Sequence, residues 1–118
     1  MVPRRALTLG LSVLLVACYG PRDDFGRAGT DAALRSVAMT VVPLAVNADS
    51  GRRLLEGHGF ACALAHNQPF GPGARIDYVH CDRSTQLDFF VSRRSQLALV
   101  LSHDSIVDVR AATGLIGP

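Results

Sequence analysis

"FACALAHNQPFGPGARIDYVHCD", residues 60–82, holds two alternating runs on either side of a segment crowded with turn formers. Phe60, Cys62 and Leu64 alternate with alanines, and Ile76 to Asp82 supplies the returning run. A period of two marks strands with one face toward a core, and the prolines and glycines between them close a hairpin. Cys62 and Cys81 are symmetric about Gly71-Pro72, so a simple hairpin sets them opposite each other. Directly opposed residues have Cβ atoms about 4.5–5.5 Å apart, close enough for a disulfide after local adjustment. Hairpin and disulfide therefore predict one another.

Downstream the alternation continues. Leu87, Phe89 and Val91 predict a third strand, Leu97, Leu99 and Leu101 a fourth, Val107 and Val109 a fifth. Keeping each set on one face requires Val79 opposite Phe89, Val91 opposite Leu97 and Leu101 opposite Val107, because a slip of one residue inverts a whole strand. The connections then become Arg83-Ser84-Thr85, Arg93-Arg94-Ser95 and His103-Asp104-Ser105, none with a glycine.

Upstream the period is helical. Thr30 is placed to cap a helix over Asp31 to Val41, with Leu34, Val37, Ala38 and Val41 on one side and Asp31 in the first turn. The β-branched Thr40-Val41-Val42 leaves open an extended second half, and Pro43 ends the segment in either case. Asn47 or Asp49 opens a second helix through Glu56, turning Leu54 and Leu55 inward, with Gly57 or Gly59 as its left-handed stop. One or two N-terminal helices followed by an antiparallel meander of four to five strands make an α+β domain over residues 30–118.

The N-terminus carries a different signal. Arg4 and Arg5 precede the apolar run Ala6 to Val16, and small residues lead to a single cysteine in "LGLSVLLVACYG", residues 9–20. That is the three-part pattern of a secretory leader, shorter than the roughly 20 apolar residues of a membrane-spanning helix. Leu15-Val16-Ala17-Cys18 resembles the lipobox of bacterial lipoproteins. The resemblance covers residues 1–18 and implies cleavage of residues 1–17, acylation of Cys18 and attachment to a bacterial envelope membrane. Arg4-Arg5 also resembles a twin-arginine signal, although Thr8 replaces an expected bulky residue. Tyr19 is not the aspartate that often retains lipoproteins in the inner membrane, which points to an outer membrane, facing the periplasm. Tyr19 to Gly29 lacks a hydrophobic period and reads as a tether, so residues 18–29 are assigned to it.

Removal of the leader changes the charge argument. All twelve basic residues are arginines, two lie in the leader, and the other ten match ten acidic residues. The basic excess therefore signals no nucleic-acid partner. Three cysteines resolve into one acylated residue and the pair Cys62 and Cys81 in an oxidising compartment. A metal site or reactive thiol is the alternative for the pair, yet His58, His66, His80 and His103 show no metal-ligand spacing. No metal or cofactor is expected. No catalytic residue is assigned either, since the serines form no nucleophile elbow and the glycines no phosphate-binding fingerprint.

The deduced register places Tyr78, Phe90 and Ala98 in line on the second face of the sheet, with Val100 and Ile106 beside them and His80 opposite Asp88. Either a helix covers this stripe as a second thin core, or Tyr78 and Phe90 contact a partner. Two function classes follow. The first is a noncatalytic envelope lipoprotein that binds another envelope protein as scaffold, assembly accessory or inhibitor; size, tether, disulfide and helix-then-meander order resemble, in architecture alone, the small BamE-like outer-membrane accessory lipoproteins. The second is a binder of a small or lipidic ligand, or a minor hydrolase, with a pocket lined by His80 and Asp88.

Overall fold

Each helix starts where a side-chain oxygen is available to accept an orphan amide. The computed structural model describes residues 22–117. Helix α1, Asp24–Arg27, is capped by Asp23, whose carboxylate accepts from the Gly26 amide at 3.1 Å. Helix α2, Asp31–Val41, is capped by Thr30, which accepts from the Ala33 amide at 3.1 Å. Helix α3, Ala48–Glu56, is capped by Asn47, which accepts from the Ser50 amide at 2.8 Å. The extended alternative for Thr40-Val41 is not taken. Thr40 Oγ1 donates to the Val37 carbonyl at 2.7 Å, which satisfies the hydroxyl inside the helix. Leu54 does not turn inward beside Leu55; it is 40% exposed while Leu55 is fully buried. Gly57 stays right-handed, and Gly59 at φ +88° makes the left-handed stop.

Helix α1 lies within the segment read as a tether and packs onto the core. Phe25 and Ala28 are buried, and the Phe25 ring meets Phe60 and His58 edge-on at 5.0 and 5.1 Å. One aromatic residue makes no period, so the sequence could not show that residues 23–29 belong to the domain. Cys18 and the leader lie outside the described residues.

The sheet has four antiparallel strands in the order β1-β2-β3-β4: Ala61–Pro69, Arg75–Gln86, Ser92–Ser102 and Ser105–Ile116. Cys62 pairs with Cys81 in the β1–β2 register and the two are joined by a disulfide. The rest of the deduced register is corrected. Leu87 to Val91 is a turn, not a strand, and β2 and β3 are longer than their apolar alternation suggests. Val79 pairs with Leu99 instead of Phe89, Leu97 pairs with Cys81 instead of Val91, and Leu101 pairs with Ile106 instead of Val107. Asp88 is the reason. Its carboxylate accepts from the Phe90 and Val91 amides at 2.8 and 2.9 Å, a local alternative to ladder bonds that outweighs the apolar period.

The polar triplets read as turns lie within strands. Arg83 pairs with Ser95, Ser84 with Arg94 and Thr85 with Arg93. Their charges have partners: Arg83 holds Asp23, and Arg94 holds Asp82 through Nε and Nη2 at 3.0 and 2.9 Å. The β1–β2 loop about Gly71-Pro72 falls where expected, and of the three glycine-free connections only the β3–β4 one does, with two residues instead of three. His103 and Asp104 adopt φ of +51° and +66°, the pair of positive values that a tight hairpin turn requires.

Among the described residues, the three helices pack toward one face of the sheet. Leu34, Ala38, Val42, Leu55 and Phe60 meet Val79, Cys81, Leu97, Leu99, Ile106 and Val109 in the buried core. Helix α3 approaches so closely that a Cβ on Gly51 would stand 2.4 Å from Ile106 Cδ1 and 2.9 Å from Leu99 Cδ1. Overfilling such a contact costs about 1–3 kcal/mol. Gly51→Leu should therefore lower the melting temperature by roughly 5–20 °C, measured by circular dichroism.

Candidate functional site

The two residues expected to share a binding stripe are separated. Tyr78 sits mid-strand in β2, opposite Val100, on the face away from the helices, and is only 6% exposed. Its ring meets Phe70 edge-on at 5.7 Å and its hydroxyl donates to the Pro69 carbonyl at 3.1 Å. No helix covers this face among the described residues; Phe70, from the β1–β2 loop, lies over it. Ala98 and Val100 are buried there as well, as expected, whereas Ile106 turns into the core because the ladder is irregular between Val100 and Leu101. Phe90 is 74% exposed in the β2–β3 turn, at the far end of the strand. His80 and Asp88 do not meet. His80 Nε2 lies 3.0 Å from Gln96 Oε1, and Asp88 caps its own turn.

The edges of the sheet differ sharply. Along β4, Arg35 Nε donates to the Val109 carbonyl at 2.8 Å, and Asp31 accepts from both the amide and the hydroxyl of Thr113 at 2.8 Å. Ile106 exchanges both backbone bonds with Ala45 and Val46, at 2.8 and 2.9 Å. Helix α2 and the loop after it thus close that edge. Among the described residues nothing similar reaches the outer side of Ala61 to Ala65 in β1. This edge bears small residues and Leu64, which is 71% exposed, and it carries none of the charges that usually blunt an open edge. An irregularity between Ala65 and Gln68, followed by Pro69, ends it. Sequence reasoning missed this site because Leu64 fits an inward alternation; only the absence of a helix above it leaves it in solvent.

Beside Leu64 lies an open cleft of about 560 Å³, lined also by His66, Asp77, Leu101, Ser102 and His103. His66 Nδ1 stands 2.8 Å from Asp77 Oδ1, which also accepts from the Asn67 amide. The His66 side chain is 84% exposed, so the pair is a solvated one of small energetic worth. Ser102 shares the cleft but makes no hydrogen bond with His66, and no nucleophile is assembled. Among the described residues no group of three His, Cys, Asp or Glu side chains is placed to hold a metal ion, and no helix is long and apolar enough to cross a membrane. In comparisons with known proteins, no family model, curated protein or solved structure matches the chain.

One electrostatic contact ties the N-terminal segment to the sheet. The Arg83 guanidinium, bonded to Asp23 at 2.9 Å, holds that carboxyl below the usual aspartate range. A carboxyl lowered in the folded state stabilises above its unfolded value, near 3.9, and loses that contribution as pH falls through the folded value. The protection of the α1 amides, taken against their intrinsic exchange, should therefore fall as pH drops through that lowered value, and Arg83→Gln should lower their protection at neutral pH, read by hydrogen exchange.

Tyr78 and Phe90 should also separate in their effects on stability. Tyr78→Ala should cost about 3 kcal/mol or more, as truncation of a buried aromatic residue does. Phe90→Ala should change the unfolding free energy by less than about 0.5 kcal/mol, as denaturant titration of both variants can show.

Proposed function

We propose that this chain is a lipid-anchored protein of a bacterial envelope whose small α+β domain works without catalysis, by accepting an extended segment of another envelope protein along the open edge of β1. The observation that carries the reading is the contrast between the two edges of one sheet, one closed by α2 and the other left open with Leu64 exposed. An added strand takes affinity from main-chain bonds and specificity from pockets beside the edge. The cleft next to Leu64 is placed to receive an apolar side chain of such a segment. The lipobox at Leu15 to Cys18 supports the anchor, and the oxidising compartment it implies agrees with a structural disulfide.

A second reading, a site for a small ligand, draws on the same cleft. It differs in needing no strand pairing.

Acylation at Cys18 is tested by mass spectrometry of protein extracted from the membrane, which should find residue 18 at the N-terminus bearing acyl chains. The edge is tested by a photoreactive side chain at position 64, with a second at Val107 on the closed edge as control. Position 64 should give a discrete adduct with an envelope protein and position 107 none. Ala63→Lys with Leu64→Lys should weaken that capture by more than about tenfold, the loss expected on removal of a hot spot, while the melting temperature holds. Equal adducts from both edges, or capture that survives the paired lysines, would sink the edge; saturation of the cleft by a small molecule without any adduct would favour the second reading.

A further inference from the structure

Nine large apolar side chains of the described residues are exposed, and five of them gather at one end of the sheet: Leu87, Phe89, Phe90, Leu115 and Ile116. Phe89 is 96% exposed. The five share that end because Ser92, directly after the turn, pairs with Ile116, and Arg93 pairs with Leu115, with Leu115 and Ile116 on opposite faces of the sheet. Burial in a core does not account for it. Soluble monomers rarely leave such a patch uncovered unless something docks there.

The entry of the chain indicates what docks. Asp23 is bonded to Arg83, in the last third of β2, and the Gly26 carbonyl accepts from Arg93 at 3.1 Å, one residue past the start of β3. The described chain therefore begins at the end of the sheet that carries the apolar tip. From Arg83 to the turn at Leu87 is about 13 Å of strand. From Asp23 back to Cys18 is at most about 18 Å of chain. A lipid held on Cys18 thus lies within reach of the level of Phe89, whereas Arg75 at the opposite end of β2 is about 26 Å from Arg83 in the other direction and beyond the leash. Arg93 bonds a carbonyl and not a carboxylate, so its charge is uncancelled by that contact and available to an anionic headgroup.

We infer that the β2–β3 turn with the end of β4 is a membrane-contacting tip, which inserts its aromatic residues into the headgroup boundary of the bilayer that holds Cys18. This rests on the lipid anchor proposed above and adds to it an orientation. Shallow insertion of Phe89 and Phe90 stands the sheet on its end and turns the β1 edge sideways to the membrane. Leu64, paired with Val79, is then about 25 Å along β2 from the tip. Tip and edge can be occupied together.

The chain contains no tryptophan, so Phe89→Trp introduces a unique fluorescent reporter. The mature chain carrying it is coupled through the Cys18 thiol to maleimide-headgroup lipids in vesicles of phosphatidylethanolamine and phosphatidylglycerol, Cys62 and Cys81 being held in their disulfide. Bromines on acyl chains about 5–10 Å below the boundary should quench the reporter at position 89. The same reporter from Ile116→Trp should be quenched likewise, and from Leu64→Trp it should not. Phe90→Ser with Leu115→Ser should leave the chain coupled and folded but release position 89 to water. Reporters at both 89 and 116 that stay unquenched on coupled, folded protein overturn the tip and assign the patch to a protein partner. Acylation is read separately, by mass spectrometry of the native protein; an unacylated Cys18 removes the premise and overturns the membrane assignment even where the coupled chain inserts.

Discussion

The covalent link between Cys62 and Cys81 is what permits this fold to keep an open edge. Strand β1 lies at the margin of the sheet with most of its side chains exposed, so burial contributes little to holding it. Apart from its ladder with β2 and a few contacts to α3, the disulfide is its attachment. Residues 62 and 81 are separated by 19 positions, and a loop of that length is worth about 3 kcal/mol on the chain-entropy model. A strand fastened in this way can present unpaired backbone groups without fraying. The same strand without the link would be drawn toward the unfolded ensemble by its own lack of core.

Helix α2 performs the opposite task on the other margin. Its face bearing Leu34 and Ala38 enters the core, and its flank turns Asp31 and Arg35 onto the backbone of β4. Arg35 also pairs with Asp108 at 3.1 Å. A surface ion pair adds little stability, so the gain lies in satisfying ladder groups that would otherwise recruit another chain. One margin is closed by polar side chains and the other kept available. That asymmetry, together with an apolar tip at the end where the chain enters, gives the domain three distinct surfaces on one small sheet.

Local signals were legible at the helix ends and in the cysteine hairpin, where no apolar period competes with them. Thr30 and Asn47 cap the helices they precede, Pro43 follows the end of the first long one, and the spacing of Cys62 and Cys81 about Gly71-Pro72 gives their cross-strand pairing. The α+β class follows from those signals, because a change of period from helical to alternating is visible without any knowledge of packing.

What failed was inference across distance. Leu87, Phe89 and Val91 alternate as a strand should, but Asp88 bonds the amides that a ladder needs, and the competition is settled only when β2 and β3 find each other over Arg83 to Thr85. Phe25 gives no period, yet its ring packs edge-on against Phe60 in the core and against His58. Leu64 and Leu54 read as inward residues and stand in solvent because no element lies above them. By itself, then, the sequence determined the helix N-caps, the loops at Gly71-Pro72 and His103-Asp104, the fold class and the cysteine pairing, all consequences of local chemistry or of symmetric spacing. Strand register, the docking of Phe25 and the exposure of both candidate surfaces were decided only by tertiary structure, since each depends on which distant side chains arrive to cover or to bond a given backbone.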